Sequence, residues 1–129
     1  MDSDTRRRID DRLKTEETGE LISSEKVDGT VVYNRKGDHL GTVHHLMINK
    51  ITGQVVYAVM SFGGFLGIGE SYHPLPWSAL DYDPDIGGYV IDTNREELEK
   101  APRYTASDQP DWSDQGYTRR IDVYWIRRV

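Results

Sequence analysis

Between positions 30 and 92 the chain reads as short apolar runs separated by turn residues, a strand pattern. Thr30-Val31-Val32-Tyr33 predicts a strand and Asn34-Arg35-Lys36-Gly37-Asp38 the turn after it. A second strand is expected over 41–49, and Lys50-Ile51-Thr52-Gly53 is a tight connection. The strongest strand runs from 54 to 62. Val55, Tyr57 and Val59 alternate there with Val56, Ala58, Met60 and Phe62, so both faces are apolar and the strand is expected to be covered on two sides.

The glycine-rich segment that follows is read as a loop. Ser71 opens a short strand, Pro76-Trp77-Ser78-Ala79-Leu80 a single helical turn begun by proline, and Tyr89-Val90-Ile91-Asp92 a further strand. Thr93 as N-cap and Glu96 three residues later predict a short helix that Pro102 ends. So many short strands make a mainly β domain, a small, strongly curved sheet or barrel with one short helix after it. Polar extensions flank it. Residues 1–21 read as an arm, flexible or frayed-helical, with only Ile9 and Leu13 at helical spacing; residues 22–104 form the barrel domain. Residues 105–129 form a C-terminal extension ending in a strand, Ile121-Asp122-Val123-Tyr124-Trp125-Ile126.

Composition narrows the function. With no cysteine among 129 residues, disulfides and thiolate metal sites are excluded. A net charge of −6, spread over an acidic body, argues against general affinity for nucleic acid. The first twenty residues lack the apolar core of a signal peptide, and the apolar stretch over 55–69 is shorter than a membrane span. A cytoplasmic protein without a membrane span is expected.

The core resembles the PRC-barrel domain, the small β-barrel of the cytoplasmic part of the photosynthetic reaction centre H subunit. The resemblance lies in Val32-Tyr33-Asn34 with Gly37, Leu40-Gly41, and Thr52-Gly53-Gln54-Val55-Val56-Tyr57-Ala58-Val59. Its most specific parts are Ser61-Phe62-Gly63-Gly64-Phe65-Leu66-Gly67-Ile68-Gly69 and Pro74-Leu75-Pro76-Trp77-Ser78-Ala79-Leu80. It spans about residues 29–104 and looks most like stand-alone bacterial members, which continue through a helix and an Ala-Pro step, here Ala101-Pro102. A related barrel forms the C-terminal domain of a ribosome maturation factor, where it binds a ribosomal protein. The resemblance implies a non-catalytic protein–protein interaction or assembly module, not an enzyme.

The candidate chemical sites are weak beside that reading. Gly67-Ile68-Gly69 meets Tyr72 where a dinucleotide fingerprint needs its third glycine, and no P-loop lysine follows. His44 and His45 are neighbours in a strand, where regular pleating points them to opposite faces; His39 and His73 stand apart. Asp81, Asp83 and Asp85 alternate like the start of a calcium loop, but Ile86 and Asp92 occupy the positions of its glycine and glutamate, so a solvated turn is expected. No catalytic residue, cofactor or metal is expected.

The interface residues anticipated are Phe62, Phe65, Leu66 and Ile68 at the glycine loop, with Tyr124 and Trp125 on the terminal strand. Contiguous apolar residues that a small barrel cannot enclose mark contacts, and a homodimer plus an unknown protein partner is expected. The alternative is an RNA- or ribosome-associated factor in which Arg119, Arg120, Arg127 and Arg128 flank the aromatics of that strand.

Overall fold

The computed structural model describes residues 17–63 and 70–126. Its elements, in chain order, are a one-turn helix α1 (Ser24–Val27), β1 (Val31–Tyr33), β2 (His39–Ile48), β3 (Val55–Phe62), β4 (Ser71–Pro76), a 3₁₀ turn (Trp77–Ala79), β5 (Asp81–Asp83), β6 (Gly88–Val90), α2 (Arg95–Lys100) and α3 (Gln115–Ile126). The six strands form one sheet in the order β4-β3-β2-β1-β6-β5. Among the described residues only β1 and β6 pair in parallel.

The order explains the curl. β4 and β5 lie at opposite edges of the sheet, yet only the 3₁₀ turn and Leu80 separate them in the chain. So short a link requires the two edges to approach each other, so the sheet is strongly curved, as the sequence predicts. Trp77 in this link packs its ring on Tyr89 of β6, centroids 5.4 Å apart. The outer edge of β4 is covered as well: Tyr72 N donates to Tyr104 O at 2.9 Å and Tyr104 N returns to Tyr72 O at 3.0 Å. This isolated bridge occupies the edge at Tyr72 alone, and Pro74 and Pro76 further along carry no N–H to offer another chain.

β3 sits between β2 and β4, and Tyr57, Ala58, Val59 and Met60 are all buried. Successive residues of a strand point to opposite faces, so four in a row can be buried only if both faces are covered. Chain after α2 helps to cover them: the Tyr57 ring meets Trp112, which also contacts Tyr104 and Tyr117. β2 and β3 approach closely at Gly41, where a Cβ would overlap the Ser61 carbonyl oxygen and press the Met60 side chain at 3.0 Å. Asn34, buried in the turn after β1, is satisfied locally. Its Oδ1 accepts from Lys36 N and Asp38 N, at 3.0 and 2.9 Å.

Four expectations need correction. Residues 121–126 are not a strand but the end of α3, whose buried residues are Tyr117, Ile121 and Trp125. Spacing of four is helical; six residues of β-branched and aromatic character alternate by accident within that longer period. Asp114 Oδ1 starts the helix by accepting from Gly116 N at 2.8 Å. The cap of α2 is Asn94, not Thr93: Asn94 Oδ1 accepts from Glu97 N at 2.8 Å, shifting the motif by one residue. Asp81 and Asp83 belong to β5, paired with β6 through a tight turn, and only Asp85 lies in that turn. Finally, the register of β2 against β3 shifts between Val43 and His45, which places His44 and His45 together. Ile9 and Leu13, at helical spacing in the arm, lie outside the described residues.

Candidate interaction surface

The anticipated interface residues separate. Phe62 is buried at the end of β3, its ring edge-to-face with His73 at 5.5 Å and the Arg95 guanidinium 5.7 Å from its centroid. Trp125 is fully buried, and Tyr124 is half-buried with its hydroxyl donating to the Glu97 carbonyl, which ties α3 to α2. Both residues therefore serve the core rather than an exposed strand. Phe65, Leu66 and Ile68 lie outside the described residues. Arg119 and Arg120 are exposed on α3, with Arg120 5.6 Å from the Tyr117 ring centroid; Arg127 and Arg128 lie outside the described residues.

A different apolar surface stands at the far end of the β2–β3 hairpin. Ile48 is 51% exposed and Val56 42%, and with Met47, Tyr57, Trp112 and Thr118 they line a groove of about 180 Å³. Ile51 is 89% exposed at the hairpin turn. That turn is fixed: Asn49 Oδ1 accepts from Ile51 N at 2.9 Å and Thr52 N at 3.1 Å, and Gly53, at φ +78°, donates to Asn49 O at 2.7 Å. Turn positions favour polar residues, and isoleucine supplies nothing the turn needs. Its side chain is a rigidly presented knob close in sequence to a hole of comparable size. Tyr57 anchors the floor of the groove by donating to Asp122 Oδ1 at 3.2 Å. Burial first, and the Asp122 charge second, push its phenol up to about 12, so the hydroxyl stays a donor at neutral pH. The sequence signal missed was Ile51 itself, an apolar residue in a turn with no core to enter.

A larger concavity, about 570 Å³, lies elsewhere, between the β1–β2 and β5–β6 turns. Tyr33, Tyr82 and Ile86 line it with Asp81 and Asp83, and Arg35 pairs with Asp81 at 3.1 Å. An exposed pair of this kind contributes little to stability. His73 is fully buried in β4. Ser71 Oγ gives its proton to the Phe62 carbonyl at 3.2 Å, so it accepts from His73 Nε2 at 3.1 Å and leaves His73 Nδ1 a lone-pair acceptor without a partner. Burial above all, then the Arg103 charge, hold this imidazole down to about 4.

His44 and His45 carry the remaining chemistry. Their Nδ1 atoms are 2.7 Å apart and their rings edge-to-face, beside Tyr72 and Tyr104. Among the described residues no group of three or more His, Asp or Glu is placed to hold a metal ion, and no helix is long and apolar enough to cross a membrane.

Against known proteins, the model of the PRC-barrel domain family matches residues 19–98, more than half of the chain. No curated protein matches it.

Proposed function

The chain belongs to the PRC-barrel domain family, and on that footing we propose that it works without catalysis as a protein–protein interaction or assembly module. In this reading it acts in the cytoplasm as a homodimer that also engages a further protein. The observation that carries the reading is the hairpin end, where Ile51 projects from a rigid turn beside the groove of Ile48 and Val56. Exposed apolar residues gathered in one place, away from any core, mark contact surfaces. A knob and a hole on one hairpin suit two-fold pairing, because each copy can seat its Ile51 in the groove of the other.

The RNA-associated alternative draws less support from the geometry. Trp125 offers no ring face to a base, and the ring of Tyr117 is buried.

Sedimentation of the full chain at micromolar concentration tests the proposal. A species of about twice the 14.8 kDa monomer mass is expected, and Ile51→Asp should convert it to monomer without changing the circular dichroism spectrum. Phe65→Asp with Leu66→Asp tests the glycine loop in the same assay. A monomeric unmodified chain removes the homodimer, and a dimer that dissociates only with the loop variant moves the contact there.

A further inference from the structure

Neighbouring residues of a regular strand cannot bring their side chains together, because pleating alternates them. The bulge between Val43 and His45 changes that, as bulges re-aim side chains by one unpaired residue. His44 and His45 end on the same side with Nδ1 atoms 2.7 Å apart and ring centroids 5.0 Å apart. We propose that the two imidazoles are a binding site for one divalent transition-metal ion that favours right-angled ligands, Cu(II) or Ni(II).

The spacing selects the ion. Imidazole nitrogen binds such ions at about 2.0–2.1 Å. Two nitrogens at a right angle around one ion then stand about 2.9 Å apart, as in the square or tetragonal sites of Cu(II) and Ni(II). At a tetrahedral angle, the preference of zinc, they stand about 3.3 Å apart. The observed 2.7 Å is close to the first figure and well short of the second. In the metal-free pair one Nδ1–H donates to the other Nδ1. Moving that proton to Nε2 and turning each ring by roughly 45° would aim both lone pairs at one ion without separating the nitrogens, whereas tetrahedral zinc would also have to force them apart.

The surroundings suit a cation. The pair opens on a cavity of about 140 Å³ walled by Tyr72, Tyr104, Ala106 and Gln109, room for waters to fill the other coordination positions. Among the described residues no cationic side chain lines it, and the Asp28 carboxylate is near enough to act on His45 electrostatically. His44 is braced edge-to-face on Tyr72 at 4.9 Å, and Tyr72 is held by its backbone pairing with Tyr104. Pre-positioned ligands lose less freedom on binding.

Titration of the metal-free full chain with Cu(II), in a buffer that does not chelate, tests the site near neutral pH. One ion per chain should bind, and electron paramagnetic resonance should show coupling to two equatorial nitrogens. His44→Gln and His45→Gln should each weaken binding at least about tenfold and remove one nitrogen from the spectrum, in line with the loss of a direct ligand. His39→Gln should change neither. Copper outranks zinc at most nitrogen sites whatever their geometry, so the geometric claim is read from Ni(II) against Zn(II), with nickel expected to bind more tightly. Binding weaker than about 100 μM, which is under 6 kcal/mol, would overturn the proposal. So would affinity unchanged in both variants, affinity lost with His39→Gln, or zinc bound more tightly than nickel. Circular dichroism checks each variant's fold; should one misfold, the spectrum of the other decides alone.

Discussion

Acid should weaken this protein through His73. Its ring is fully buried among the core residues, with Nε2 donating to Ser71 Oγ and Nδ1 facing no partner. Protonation would place a positive charge at Nδ1 in that apolar setting, near the Phe62 ring and within the field of Arg103. The imidazole therefore titrates at about 4 in the folded chain instead of the ordinary 6.5. The folded value lies below the unfolded one, so the unfolded chain takes up the proton first. Stability is complete above pH 6.5 and is lost as the pH falls from there towards 4. Each pH unit in that interval is worth about 1.4 kcal/mol, a total of about 3 kcal/mol. That is a large share of the 5–15 kcal/mol typical of a domain (about the same scale expected here). Urea unfolding of the unmodified chain and of His73→Gln from pH 7 to pH 4 isolates the effect, because every other titrating group is common to both. The unmodified chain should lose about 3 kcal/mol more than the variant across the interval. Parallel curves would refute the reasoning. So would an imidazole proton resonance of His73 that titrates near 6.5 in the intact protein.

Trp125→Ala should cost about 3–5 kcal/mol, the range for truncating a large buried aromatic, and chemical denaturation measures it. A loss below about 1 kcal/mol would mean that α3 does not close the core. Gly41→Ala should lower the melting temperature markedly, since the added Cβ would meet backbone at Ser61 and cannot be relieved by a side-chain rotation. Tyr57→Phe removes one half-buried hydrogen bond to Asp122 and should cost about 1 kcal/mol by the same denaturation assay, with the fold unchanged.

What the sequence made legible was local and dense in signal. The two apolar faces of β3 mark a strand covered on both sides, and in the structure Tyr57, Ala58, Val59 and Met60 are all buried, with Trp112 packed on the Tyr57 ring. The turn at Asn34 and the start of the 3₁₀ turn at Pro76 follow from residues whose preferences are strong. The misreadings share a cause, since each depended on something beyond the window read. Ile121 to Ile126 alternate over six positions, and only Tyr117 reveals the spacing of four that makes the segment helical. β5 is three residues long with an aspartate at each end, so its strand character comes from pairing with β6 rather than from its own composition. The meeting of His44 and His45 depends on how β2 aligns with β3, and neither histidine announces a bulge. Ile51 was visible as part of a turn, but its exposure became meaningful only beside the groove of Ile48 and Val56.

The central claim is that two copies meet through the β2–β3 hairpin end. Because the chain has no cysteine, Thr52→Cys gives a single thiol at an exposed turn position for a spin label, next to Ile51 but outside the groove lining. Pulsed dipolar spectroscopy then reads the separation between copies directly. One short, narrow distance should appear for the label at 52, and it should vanish when Ile51→Asp is added. A label at Ser107, exposed on the tail and outside the groove lining, should give a longer one. No dipolar signal at 52, or one that survives Ile51→Asp, would contradict the account.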